Sequence, residues 1–169
     1  MPQVTSAEAN KIIKDLRSQR TELLAVEAGI KSFVVAIEEN VEDVRPEYDF
    51  ATYQKNLEKI DAEIRKYKHA LNVFNTTTVV PNTDGMTIDE VLVTLPQLSE
   101  RLRTLSSMAI TQPKSRVRGY GPQPHIEYNI ANYDIDAVKD TCNRIKESIN
   151  NLQLNLDLVN STVKFNVED

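Results

Sequence analysis

Apolar residues return at alternating steps of three and four in four separate stretches of the chain. The first stripe is Ala9, Ile12, Leu16, Leu23, Val26 and Ile30, interrupted where Gln19 stands. The second, Phe50, Tyr53, Leu57, Ile60, Ile64, Tyr67, Leu71 and Phe74, is unbroken. The third is Ile88, Val91, Leu95, Leu98, Leu102, Leu105 and Ala109, and the fourth Ile135, Val138, Cys142, Ile145, Ile149, Leu152, Leu156 and Val159. Steps of three and four average about 3.5 residues per turn, which keeps a stripe on one side of a helix and suits near-parallel, left-handed packing. The pattern predicts helices over residues 6–29, 50–75, 88–109 and 135–160.

End signals come from other residues and agree with the stripes. Thr5-Ser6-Ala7-Glu8 and Thr87-Ile88-Asp89-Glu90 read as capping boxes, hydroxyl and carboxylate each satisfying a backbone N–H. Asp49 and Asp134 stand where the second and fourth helices should start. Tyr48 with Tyr53, Met86 with Val91 and Tyr133 with Val138 form apolar staples across the helix starts. Gly29 suits a left-handed residue closing the first helix. Pro96 falls inside the third stripe, where Leu95 would be a poor cap for a new helix, so a single kinked helix is expected.

Between stripes the period changes to two. Residues 33–37, 126–130 and 163–167 alternate as short strands. Residues 81–85, Pro-Asn-Thr-Asp-Gly, read as a turn. Gln112 to Pro124, with three prolines and two glycines, reads as a mobile loop. Short connections make up-down-up-down order the default. The expected architecture is one all-α domain over residues 1–169, an antiparallel four-helix coiled-coil-like bundle with a minor β element. That topology brings the first two strands to one pole and leaves the tail strand at the other without a neighbour. Val163, Phe165 and Val167 are therefore expected to be oligomer contacts in a homo-oligomer.

Composition narrows the chemistry. With 20 Lys and Arg against 25 Asp and Glu, the 169-residue chain carries a net charge of -5, unlike a general nucleic-acid binder. A single cysteine excludes an internal disulfide and fits a reducing compartment. No apolar run approaches the roughly 20 residues of a membrane span, and the N-terminus has no apolar signal core, so a cytoplasmic place is expected. Cys142 sits on an apolar stripe and reads as a small buried hydrophobe, not a nucleophile paired with His125. His69, beside Lys68, reads as a solvated residue on the outer half of its helix. Neither histidine follows a Glu by three residues, so a di-metal bundle is not expected. Gly119 and Gly121 precede Pro122, not a helix start, and make no phosphate loop. No cofactor and no catalytic set is expected.

Two charged stretches remain. Glu38, Glu39, Glu42, Asp43, Glu47 and Asp49 stand against Arg45 alone. Lys114, Arg116 and Arg118, with Tyr120 beyond, are the candidate anion-binding residues, able to hold phosphates and stack a base. A solvated crossover is the preferred reading of that basic run, and attraction to the acidic stretch, within or between subunits, is an alternative to nucleic acid.

The run Asp84-Gly85-Met86-Thr87-Ile88-Asp89-Glu90-Val91-Leu92 leads into an Arg/Leu-rich helix, a basic loop, the 126–130 strand and a last helix begun by Asp134. This order resembles a family of small bacterial helical proteins often labelled septicolysin, over nearly the whole chain. The resemblance implies a helical fold and, through the label, a pore-forming cytolysin; it brings no catalytic residues. Pro96 departs from the family's straight third helix. The apolar residues are already committed to helix seams, which speaks against lysis. The expected function is therefore non-enzymatic, by self-association or contact with a protein partner. A nucleic-acid-associated protein and a pore-forming cytolysin are the alternatives.

Overall fold

The structure is a computed structural model describing residues 2–118 and 126–167. It is mainly helical, with two small antiparallel strand pairs. In chain order the described elements are β1 (Gln3–Thr5), α1 (Ser6–Ile30), α2 (Val41–Val44), α3 (Phe50–Thr77), α4 (Ile88–Ala109), β2 (Lys114–Arg118), β3 (Ile126–Ile130), α5 (Ile135–Thr162) and β4 (Lys164–Asn166). Where one domain is expected from the sequence, contacts divide the chain into two compact units, Met1–Thr77 with Val159–Asp169, and Thr78–Leu158.

In the first unit α1 and α3 run antiparallel. Ala9 lies in the cluster that Tyr67 and Ala70 pack against. Further along α1, Arg20 Nε donates to Asp61 at 2.7 Å. Further still, Glu27 accepts from Tyr48 Oη at 2.7 Å and from Gln54 at 3.3 Å. As α1 advances, its partners on α3 recede. The bond to Glu27, aided by burial, pushes the Tyr48 phenol up to about 12. The Tyr48 and Tyr53 rings meet at 5.3 Å, the expected staple. Asp49 caps α3 through the Ala51 N–H and the Thr52 hydroxyl, and the Thr52 bonds hold its carboxyl below the ordinary value.

Thr5 ends β1 and caps α1 at once. Its N–H donates to the Glu8 carboxylate at 2.8 Å, and its hydroxyl accepts from the Glu8 N–H at 3.2 Å. That backbone bond is the main reason the Glu8 carboxyl sits below its usual range. β1 in turn pairs antiparallel with β4, Val4 opposite Phe165, and the Val167 N–H extends the ladder to the Pro2 carbonyl at 3.2 Å. Val4, Ala9 and Val167 form a buried cluster, and Phe165 stacks on Phe74 at 4.6 Å.

The tail strand therefore has a neighbour in its own chain, contrary to the expectation built on its isolation. Val167 is fully buried and Phe165 half-buried within the first unit, while Val163 is exposed. The oligomer contact expected of Val163, Phe165 and Val167 loses its basis. The tail's partner, β1, is three residues long with one large apolar side chain, too short for alternation to reveal.

Residues 33–37 form no strand. The Glu39 N–H donates to the Ala36 carbonyl at 3.0 Å, the Ala36 N–H to the Glu39 carboxylate at 3.2 Å, and Asn40 caps α2. Local bonds capture backbone groups that a ladder would have used. Gly29 stays inside α1, which ends at Lys31 with its N–H on the Glu27 carbonyl.

The second unit starts with the 81–85 turn. Asn82, Asp84 and Gly85 all take positive φ, 58°, 53° and 88°, the region that Gly, Asn and Asp enter most readily. The Thr83 hydroxyl donates to the Val80 carbonyl at 2.6 Å, and Val79 bridges Thr87. Thr87 and Glu90 make the expected capping box at the start of α4. α4 runs through Pro96 as one helix. Two hydrogen bonds tie the segments before each helix to the other helix: Asn82 Nδ2 of the turn donates to Asn155 of α5 at 3.2 Å, and Tyr133 Oη, before α5, to the Met108 carbonyl of α4 at 3.1 Å. These ties run the helices antiparallel. Every residue of the α4 and α5 stripes is buried or half-buried, Cys142 among the buried ones.

Candidate functional site

Residues 112–124 are expected as a loop, but Lys114–Arg118 is a strand, β2, paired antiparallel with β3. The register sets Lys114 opposite Ile130, Arg116 opposite Tyr128 and Arg118 opposite Ile126. Since strand side chains alternate between faces, Lys114, Arg116, Ile126, Tyr128 and Ile130 share one face of the ribbon. Ser115, Val117, Glu127 and Asn129 share the other. The Lys114 ammonium lies 4.0 Å from the centroid of the Tyr128 ring, a diagonal cross-strand contact that confirms the shared face. Tyr120, Gly119, Gly121 and His125, singled out in the sequence, lie outside the described residues.

The ribbon's base is pinned. The Ala131 N–H donates to the Pro113 carbonyl at 3.1 Å, and the Tyr133 bond to Met108 anchors the β3–α5 junction to α4. Its faces are uncovered. Ile126 is 61% exposed, Ile130 64% and Tyr128 50%. A two-stranded ribbon with large apolar side chains in water is marginal on its own. Lys114 and Arg116 beside Ile126, Tyr128 and Ile130 put attraction for an anionic surface and apolar contact area on one narrow face.

The sequence shows the cations but not their setting. Lys114, Arg116 and Arg118 recur with period two, as Ile126, Tyr128 and Ile130 do. Reading charge alternation as a strand signal would have paired the two runs. On the first unit, α3 and β4 line a groove of about 840 Å³ that includes Glu63, Lys66, His69, Val73, Phe74 and Phe165. His69 is exposed there. Among the described residues, no group of three or more His, Cys, Asp or Glu comes together to hold a metal, and no helix is long and apolar enough to cross a membrane.

No protein-family model matches the chain, and no curated protein does. One solved structure is similar over 98% of this chain and 100% of its own, with a TM-score of 0.59 at 14% sequence identity. It is described as a functionally unknown conserved protein from Corynebacterium diphtheriae. At that identity the likeness shows the fold alone.

Proposed function

We propose that this is a non-enzymatic helical protein that acts by docking on other polypeptides, a second copy or a distinct partner, through the β2–β3 ribbon. One observation carries the reading: the register gathers Lys114 and Arg116 on the same uncovered face as Ile126, Tyr128 and Ile130. Tyr and Arg are the residue types that protein interfaces favour, and the large aliphatic side chains between them suit a protein surface better than a nucleic-acid backbone. The net charge of -5 also disfavours nucleic acid. The four-helix coiled-coil-like bundle, the septicolysin-family resemblance and a cytoplasmic place belong to the same proposal.

The second reading, binding of single-stranded nucleic acid, rests on the Lys114–Tyr128 pair, since cations beside an exposed ring suit phosphates and bases. A titration separates the two. Fluorescent polyglutamate is expected to bind more tightly than an oligonucleotide of equal charge. Replacing Lys114, Arg116 and Arg118 together by Ala should weaken polyglutamate binding roughly tenfold, at about 0.5 kcal/mol for each ion pair lost. The melting temperature should hardly move, because surface changes usually stay within about 0.5 kcal/mol. Preference for the oligonucleotide would favour the second reading, and leakage from dye-filled vesicles the lytic one.

A further inference from the structure

Resting on the docking reading, we propose that the ribbon's occupant is the acidic segment 33–50 of a second copy of this chain, exchanged reciprocally in a two-fold dimer. That segment is the ribbon's chemical complement. It carries Glu38, Glu39, Glu42, Asp43, Glu47 and Asp49 against Arg45. Five of its large apolar residues are uncovered too: Val34 is 95% exposed, and Ile37, Val41, Val44 and Phe50 are exposed. Exposed apolar groups clustered on a folded surface mark contact sites. Here the same short stretch also holds the charge opposite to that of the ribbon.

The segment is shaped for presentation. The turn at Ala36–Glu39 and the Asn40 cap give residues 36–44 a fixed course without covering their side chains. The Glu42 carboxylate engages Arg45 at 2.8 Å, and Glu39 is held in its turn. Glu38, Asp43 and Glu47 are exposed acids able to face the exposed Lys114 and Arg116. Each copy owns one basic face and one acidic segment, so a two-fold axis satisfies both pairs at once and closes the assembly. Long-range attraction between the charges speeds encounter and rejects like faces, while the apolar residues of both surfaces leave water.

Charge reversal in full-length protein, read by light scattering, is the test. Wild type should weigh twice the 19.2 kDa of one chain at micromolar concentration and dissociate as salt rises. The ribbon variant, Lys114→Glu with Arg116→Glu and Arg118→Glu, should be monomeric. So should the segment variant, Glu38→Lys with Asp43→Lys and Glu47→Lys. Mixed together, the two should form a heterodimer, because each then offers what the other lacks; this rescue also shows that both are folded. If the ribbon variant dissociates and the segment variant stays dimeric, the ribbon still docks but on another surface, and this proposal falls while the docking reading stands. A monomeric wild type, or a mixture that stays monomeric while circular dichroism shows both variants helical, overturns the proposal.

Discussion

Cutting the chain after Val163 should destabilise the first unit by about 3 kcal/mol or more, with no change in the mass of the assembly. The cut removes Val167, which is fully buried, and Phe165, half-buried on Phe74. Burying such a side chain is worth about 1.5–3 kcal/mol, discounted for Phe165 because part of it stays in water. The cut also strips β1 of its partner and uncovers Val4 and Ala9 beside the α1 cap. Denaturant unfolding followed by helical circular dichroism gives the stability, and light scattering the mass. A smaller species with unchanged stability would return the tail to the role of an oligomer contact.

Ile88→Ala should cost about 2–5 kcal/mol, the range for emptying a buried aliphatic site. Ile88 is the first residue of α4, fully buried, and its N–H donates to the Thr78 carbonyl at 3.0 Å. Val80 and Val91, also fully buried, flank it in sequence around the turn and the capping box. The contrasting variant is Ile126→Ala on the ribbon. It should shift stability by no more than about 0.5 kcal/mol, as exposed substitutions do, while weakening association. Equal costs for the two would mean that Ile126 serves the fold, not a partner.

The helices were legible because their determinants are local. A stripe and a cap need only residues within one or two turns, and Thr5–Glu8, Thr87–Glu90, Asp49 and Asp134 place helix starts where the structure has them. Strand pairing is not local, and there the reading failed. Val4 gave one apolar residue before a cap, too little to show that residues 3–5 would meet 164–166 from the other end of the chain. Residues 33–37 had the alternation of a strand, but Glu39 took up both backbone groups of Ala36 in a local turn. Lys114 to Arg118 had the reverse problem. Their alternation is of charge, which apolar patterning does not register, so a strand passed for a loop. The candidate site was thus half visible: its cations stood out, while the Ile and Tyr beside them came only from the register.

Hydrogen exchange of the β2–β3 amides, compared between dilute and concentrated protein, tests the docking surface most directly. The amides of β2 and β3 lie on a two-stranded ribbon with uncovered faces, and so should exchange fast when the protein is dilute. On association, exchange should slow together in residues 114–118, 126–130 and 33–48, with the α4 and α5 amides little changed. If the ribbon amides exchange at the same rate at both concentrations while another surface slows, the ribbon is not where this protein docks.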